Sequence, residues 1–267
     1  SDRLSRDGGT SVSPDPARAF TGAATWFEDV SALLNHTHQE EAFDDFARQP
    51  LLPKKLSQLG PGAAWFDLDA DGHDDLVIGS GRGGALSVYR SDGKGGLTRW
   101  ALPALNTPVA GDTTGIVGWP SPDGERSLLA GLSNYETGAT NLASVLRYDF
   151  AAKTLREGPG LAGALSSSGP LALGDVDGDA DLDLFVGGRV IPGHYPEPAA
   201  SRLFRNDEGK LTLDTEASRV LETVGMVSGA VFSDLDGDGR LELILACEWG
   251  PILIFLIEAG KLKPWNW

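Results

Sequence analysis

The chain is short of cysteine, methionine and basic residues. Its 267 residues include one cysteine and one methionine, and 22 lysines and arginines stand against 38 aspartates and glutamates. The single cysteine, Cys247, excludes an intramolecular disulfide, and we expect it to act as a small buried hydrophobic residue. The net charge of −16 disfavours nucleic acids and anionic membrane surfaces as partners, because both repel an acidic protein.

Long apolar runs are also absent. The most apolar stretch, "LILACEWGPILIFLI", is interrupted by Glu248, Gly250 and Pro251, so it predicts two strands and a turn and no membrane span. Residues 1–20 are polar and rich in Ser, Asp, Gly and Pro, and we expect them to form a flexible leader. No apolar signal core is present, so we expect any export signal to have been removed or to lie outside this sequence.

Aspartate is concentrated in short loops, of which "DLDADGHDD" at residues 67–75 is the first. Carboxylates occupy loop positions 1, 3, 5 and 9, and a glycine at position 6 allows a sharp turn, as hard oxygen ligands around Ca²⁺ require. An EF-hand needs a glutamate at position 12 and a following helix, but that position is Ile78 within the apolar strand "DLVIG". The loop therefore predicts a strand-loop-strand calcium site that closes within nine residues.

The pattern occurs three times, which a solvated acidic surface does not explain. "DVDGDADLD" and "DLDGDGRLE" repeat the four acidic positions and the following strand, although Ala180 replaces the turn glycine in the second copy. We predict up to three structural Ca²⁺ ions, with His73, Asp181 and Arg240 binding through backbone carbonyls. The predicted ligands are Asp67, Asp69, Asp71, His73 and Asp75; Asp175, Asp177, Asp179, Asp181 and Asp183; and Asp234, Asp236, Asp238, Arg240 and Glu242.

A fourth, decayed copy lies between the first two. "GIVGWPSPDGERSLLAG" keeps Asp123 and Gly124 but has Trp119, Ser121 and Ser127 at three of the acidic positions, so it predicts a turn without metal. Aligned on position 5, the copies repeat every fifty to sixty residues.

Each repeat reads as four strands separated by glycine-rich turns, as in "AAWFDLD", "DLVIGS", "ALSVYRS" and "LTRWALP". Four-stranded antiparallel units in sequence are the blades of a β-propeller. An open array of hairpins is the alternative, but it would expose long apolar edges. We predict an all-β propeller with repeats at about 61–110, 111–165, 170–225 and 228–267, preceded by an N-terminal strand and long connector at 21–60.

The sequence resembles the FG-GAP/VCBS repeat proteins, which are built like the integrin α-subunit head propeller, and in particular the bacterial relatives of cartilage acidic protein. Besides the loops, the stretches that carry the resemblance are "FEDVS", "FARQPLLPKKLSQLGPG", "FVGGRVIPGHYPEPAASRLFRND", "MVSGAVFSDLDGDG" and "CEWGPILIF". It implies a secreted, periplasmic or cell-surface propeller stabilised by calcium, used for adhesion or assembly and without established catalytic residues. Relatives carry further repeats, so the resemblance leaves open whether the ring closes here or belongs to a larger ring of seven blades.

Two functions remain open. We expect a binding module for an unknown protein or glycan partner and no enzymatic activity, because neither a nucleophile elbow nor a phosphate loop is present. The alternative is a carbohydrate-active enzyme or sugar-binding propeller that uses calcium, with Trp249 and Tyr195 as candidate stacking residues. His36 and His38, near Glu40 and Glu41, are either a transition-metal cluster on a strand or hydrogen-bonding residues of the connector.

Overall fold

A computed structural model describes residue 29 and residues 31–121, 124–151 and 154–265 of the chain. The predicted leader and Asp123 lie outside these described residues. Two short helices, α1 (Ser31–Leu34) and α2 (Asp45–Arg48), precede the first sheet, and a third, α3 (Thr215–Val220), lies between the last two sheets. Between the first and second sheets lies a 3-10 helix, Pro103–Asn106.

The described residues contain sixteen strands in four sheets, here called blades 1 to 4. Each blade has four antiparallel strands in sequential order, which confirms the predicted all-β fold of four-stranded blades. The strands are β1 (Ala63–Phe66), β2 (Asp75–Ile78), β3 (Ser87–Ser91) and β4 (Leu97–Trp100); β5 (Thr113–Pro120), β6 (Arg126–Leu132), β7 (Val145–Ala151) and β8 (Thr154–Glu157); β9 (Ser167–Gly174), β10 (Asp183–Val190), β11 (Arg202–Asp207) and β12 (Lys210–Leu213); and β13 (Met226–Ser233), β14 (Glu242–Glu248), β15 (Ile252–Glu258) and β16 (Lys261–Pro264).

The main core lies between the blades, so an inner blade buries both faces of its strands. In β10, Leu184 and Val186 pack toward blade 2, whereas Phe185 packs toward blade 4. This is why β10 reads as a continuous apolar run, since successive side chains point to opposite faces that are both covered. Cys247 is half-buried against the core between blades 3 and 4, and so is less buried than expected.

The first strands of the blades pack side by side, β1 on β5, β5 on β9 and β9 on β13. Among the described residues, β13 and β1 do not pack on each other in this way. Trp65 on β1 is 58% exposed and Val231 on β13 is 50% exposed, because each faces away from the neighbouring blade. Each of these two blades therefore exposes an apolar side chain on its outer face, although Leu76 and Tyr89 on the same face of blade 1 are buried.

The connector before blade 1 crosses one end of the blades. Its described part contains α1 and α2 and no strand, so the histidine pair does not lie on a strand as one interpretation required. Arg48 of α2 donates from Nη1 to the carbonyl of Tyr135 at 2.7 Å. Leu52 and Leu56 of the connector pack in a small cluster with Tyr135 and Tyr195, which follow β6 and β10.

Candidate metal sites

The three acidic loops lie at the same end of their blades, where each joins the first strand to the second. Loop 1 (residues 67–74) follows β1, loop 2 (175–182) follows β9 and loop 3 (234–241) follows β13. The connector lies at the opposite end. The register of each hairpin ends on the position-9 carboxylate, as in the pairs Phe66 with Asp75 and Ser233 with Glu242. The strands thus deliver the last carboxylate of each loop to a fixed place beside its start.

Two residues in every loop have left-handed backbone. Position 6 was expected to need glycine, and φ there is 89° at Gly72, 75° at Ala180 and 85° at Gly239. Position 4 is left-handed too, with φ of 62° at Ala70 and 84° at Gly178. Each alanine is strained, because a left-handed conformation costs an L-residue roughly 1–2 kcal/mol.

Carboxylate oxygens converge within each loop. In every group, one oxygen from each of three residues lies within 4.8 Å of the others; the groups are Asp67, Asp69 and Asp71; Asp175, Asp177 and Asp183; and Asp234, Asp236 and Glu242. Positions 1 and 3 belong to all three groups. Asp75, Asp179 and Asp238 lie outside the groups although we predicted them as ligands, and the carbonyl ligands His73, Asp181 and Arg240 stay predictions.

The carboxylates at position 9 are buried and fasten the loop to the strands. Asp183 accepts hydrogen bonds from the backbone N–H of Val176 at 2.9 Å and of Asn206 at 2.8 Å. Asp75 accepts from Leu68 and Ser91 in the same way, and Glu242 accepts from Leu235 at 2.8 Å. Burial raises the pKa of both Asp75 and Asp183. These groups are therefore costly to keep charged without a cation nearby.

The carboxylates at position 5 shape the turn. Asp71 accepts the N–H of His73 at 3.0 Å, and Asp179 accepts that of Asp181 at 2.8 Å. Asp238 accepts the N–H of Arg240 at 2.9 Å, and hydrogen bonding from the Arg240 side chain lowers its pKa. An aspartate that bonds the N–H two residues later forms an Asx-turn, so these three side chains hold the loop conformation.

Arginine side chains from the third strand of a blade approach loops 1 and 2. Arg90 of β3 contacts Asp69 at 2.6 Å and Asp71 at 3.0 Å. Arg205 of β11 contacts Asp183 at 3.0 Å and Asp177 at 3.8 Å. We did not predict either contact. The spacing of the acidic residues does not indicate these contacts. The arginines follow the loops by many residues in sequence and reach the loops only through strand pairing.

The decayed copy forms its turn and uses its positions differently. The Gly124 N–H bonds to the Ser121 carbonyl at 2.9 Å between β5 and β6, as a turn requires, whereas the absence of metal stays a prediction. Trp119 is buried, and its Nε1 donates to the carbonyl of Leu182 in loop 2 at 3.2 Å. Trp119, which occupies loop position 1, thus stabilises loop 2 of the next blade through this hydrogen bond.

The donor sets of the three loops fit a hard cation. All their side-chain donors are carboxylate oxygens, the ligands that Ca²⁺ prefers. Oδ1 of Asp69 is buried and accepts no hydrogen bond from the described residues. A buried anionic oxygen without a hydrogen bond is expensive, and a bound cation would remove this cost.

An exposed tryptophan stands at the opposite end, after β14. Trp249 is 77% exposed with φ of 61°, and its Nε1 donates to the hydroxyl of Tyr195. Tyr195 in turn donates to Glu248 at 2.9 Å, and Glu248 pairs with Arg189 and with Lys54 at 3.1 Å. The structure therefore brings together the two aromatic residues that the sequence singled out, and it fixes the indole while leaving its ring open.

Among the described residues, the structure contains no helix long and apolar enough to cross a lipid bilayer.

The family model of the FG-GAP-like repeat matches residues 175–245. This segment runs from loop 2 into β14, so it includes loops 2 and 3 and confirms the resemblance to FG-GAP repeats. The closer resemblance to bacterial cartilage acidic proteins stays a prediction. No curated protein matches the sequence.

Similar solved structures include two of a mutant Aleuria aurantia lectin, one in complex with alpha-methyl-L-fucoside and one with Fucalpha1-6GlcNAc. Each is 14% identical to this chain over 77% of its length, with a TM-score of 0.47. The chain spans 63% and 62% of the two lectin chains, less than two thirds of either.

Proposed function

We propose that this chain is a calcium-stabilised β-propeller segment that acts outside the cytoplasm as a binding module, without a catalytic site. The observation that supports calcium is the convergence of three carboxylates in each of three equivalent loops. Asp67, Asp69 and Asp71 would hold the ion in loop 1, Asp175, Asp177 and Asp183 in loop 2, and Asp234, Asp236 and Glu242 in loop 3.

The role of the metal in this proposal is structural. Without it, like charges within one loop repel each other and strain the hairpin; a bound ion joins the first two strands of the blade. Extracellular modules bind Ca²⁺ with dissociation constants of about 10⁻⁴ to 10⁻³ M. At free calcium ten times that constant, each site would stabilise the folded chain by about 1.4 kcal/mol. Three sites would supply a good part of a domain's net stability.

Thermal unfolding with excess Ca²⁺ and with EGTA, together with metal analysis, tests the proposal. Asp69→Asn should reduce the calcium-dependent rise in melting temperature and the bound metal. Asp74→Asn is the matched control, because Asp74 lies in the same loop, is exposed and belongs to none of the acidic groups. Equal losses in the two variants, or no calcium effect in the wild type, would contradict structural calcium.

The binding role is supported by the chain's exposed surfaces. Trp65, Trp249 and Ile252 are each more than half exposed and are therefore accessible to a partner. A competing function, carbohydrate binding or processing, is favoured by the fixed and exposed Trp249. It is also favoured by a cleft of about 460 Å³ beside loop 1, which is lined by Asp71, His73, Arg90, Arg99 and Trp100. There, basic side chains stand next to a candidate calcium loop, as recognition of an acidic sugar would require.

Screening against neutral and uronate-containing oligosaccharides separates the two functions. Trp249→Ala should abolish binding of a sugar that stacks on the indole, and Arg99→Gln should weaken binding of a uronate in the cleft. Trp65→Ala is the control, since Trp65 is exposed on blade 1 and outside the cleft lining. Binding that is lost in the first or second variant and kept in the control would favour the carbohydrate function.

A further inference from the structure

A fourth group of carboxylates lies at the end of the blades opposite to the acidic loops. Asp112 directly precedes β5, and Glu136 follows β6 by a few residues, so both lie away from the turn that joins these strands. Glu40 comes from the connector, which is held nearby by a hydrogen bond from the Gly81 N–H to the carbonyl of Gln39 at 3.1 Å. The three acids thus reach one place from three separate parts of the chain.

The group has the size of a cation site. One oxygen each from Glu40, Asp112 and Glu136 lies within 4.8 Å of the other two. Oxygens bonded to one ion at about 2.4 Å can be at most about 4.8 Å apart, so a single ion could contact all three residues.

Several buried oxygens in this group accept no hydrogen bond from the described residues. The side chain of Glu136 is 2% exposed, yet neither of its oxygens accepts a hydrogen bond from the described residues. Oε1 of Glu40 is also buried, and no hydrogen bond reaches it from the part of the chain that the structure describes. Asp112 is 4% exposed and accepts one hydrogen bond, at 2.9 Å, from the N–H of Arg82. Buried polar atoms normally have hydrogen-bond partners in folded proteins, so these oxygens indicate that a ligand binds here.

The positive charge around the group is too small to balance it. Nε of Arg82 lies 2.6 Å from Oε2 of Glu136 and forms an ion pair with it, which acts to lower the pKa of Glu136. The same guanidinium pairs with Glu41 at 3.0 Å. His38 lies 3.3 Å from Glu40. Consistent with uncompensated charge, burial raises the pKa of Asp112 to about 6 and that of Glu136 to about 7.

We propose that Glu40, Asp112 and Glu136 form a binding site for a hard divalent cation, Ca²⁺ or Mn²⁺, separate from the three acidic loops. The ion would join the connector to blades 1 and 2, because Glu40 belongs to the connector and Asp112 and Glu136 to the segments that flank β5 and β6. The site differs from the loops in the origin of its ligands, which are far apart in sequence and come together only through the tertiary fold.

Metal content of the whole chain, measured after equilibration with Ca²⁺ or with Mn²⁺, tests the site. Glu136→Gln should bind one ion fewer than the wild type, and Asp112→Asn should lose the same ion. Glu41→Gln is the matched control: it removes an acid that contacts the same arginine but lies outside the group, and it should bind as many ions as the wild type. In EGTA, Glu136→Gln should melt at a higher temperature than the wild type, because it removes an uncompensated buried charge.

An unchanged ion count in folded Glu136→Gln would overturn the proposal and leave a carboxyl cluster that holds a proton. The result is independent of the acidic loops. If the wild type bound one ion that Glu136→Gln loses and Asp69→Asn keeps, the site would stand and the calcium loops would fail.

Discussion

Nη1 of Arg205 lies 3.0 Å from Oδ2 of Asp183, so a strand of blade 3 supplies a positive charge to the candidate metal site of the same blade. Strand pairing places Arg90 of blade 1 at the equivalent point, since Tyr89 pairs with Leu76 as Phe204 pairs with Leu184. The equivalent residue in blade 4 is Leu256, because it follows Phe255, which pairs with Leu243. Loops 1 and 2 therefore have an arginine that can compete with a cation, and loop 3 has a leucine there.

Removing the competing arginine should strengthen calcium binding. Arg90→Gln should lower the calcium dissociation constant of loop 1 by up to about fivefold, because a partly exposed ion pair is worth up to about 1 kcal/mol. Isothermal titration at fixed ionic strength measures this change. Arg156→Gln, an exposed arginine on β8, is the control for net charge. If both variants changed affinity equally, or Arg90→Gln weakened binding, the competition would be refuted.

Loop 3 should bind calcium most tightly of the three loops. No arginine of the neighbouring strand reaches it, although Arg240 within the loop pairs with Asp238. Asp236→Asn should therefore remove the high-affinity phase of a calcium titration, while Asp69→Asn and Asp177→Asn remove weaker phases. In a Glu136→Gln background, which removes the proposed fourth site, a high-affinity phase that survives Asp236→Asn would show that local charge does not set the order of the loops.

At the left-handed positions of the loops, a change from glycine to alanine should lower the free energy of unfolding, and the reverse change should not. Gly237→Ala, at φ of 80°, should destabilise the chain by about 1 kcal/mol. The left-handed conformation is unfavourable for alanine, but alanine also has less conformational freedom than glycine in the unfolded chain, which offsets part of this cost. Ala180→Gly, at φ of 75°, should be neutral or stabilising, since it relieves the same strain. Apart from the two adjoining residues, no described residue has an atom within 4 Å of a Cβ added at Gly237, so crowding does not complicate the comparison. Urea unfolding in EGTA measures both, and a stabilising Gly237→Ala would contradict the backbone assignment.

The buried Asp45 should make stability depend on pH. It is fully buried and accepts the N–H groups of Leu56 at 2.7 Å and Ser57 at 2.9 Å, and the Ser57 hydroxyl at 2.6 Å. Although burial acts to raise its pKa, these hydrogen bonds lower it below the ordinary value of 3.8. A lowered folded-state pKa gives stability that is present above about pH 4 and lost as the pH falls through the folded-state pKa.

Asp45→Asn should therefore cost about 1–2 kcal/mol at pH 7, because charge-assisted hydrogen bonds become neutral ones. The difference from wild type should be smaller at pH 3 than at pH 7, because the contribution of the carboxylate to stability declines once the pH falls below the ordinary pKa of 3.8. Urea unfolding in EGTA at both pH values measures it, with the exposed Asp207→Asn as control. A difference that stays constant with pH would show that the carboxylate charge does not matter.

Local sequence patterns predicted the strands and most of the loop geometry. "ILIFLIE" coincides with β15, and the carboxylates at loop positions 1 and 3 belong to a converging group in every loop. These features depend on residues close in the chain, where side-chain alternation and turn residues act directly. The left-handed position 4 was missed because alanine at residue 70 gives no sign of it.

The sequence by itself determined the repeat, the four-stranded blades and the places where carboxylates meet within one loop. Only the tertiary structure decided which charges face each other across strands and segments. Arg90 reaches loop 1 through the β2–β3 register, and Glu40, Asp112 and Glu136 meet because the connector crosses the end of the blades. Electrostatic interactions depend on distance in space, and the chain brings these distant residues together only when the blades pack.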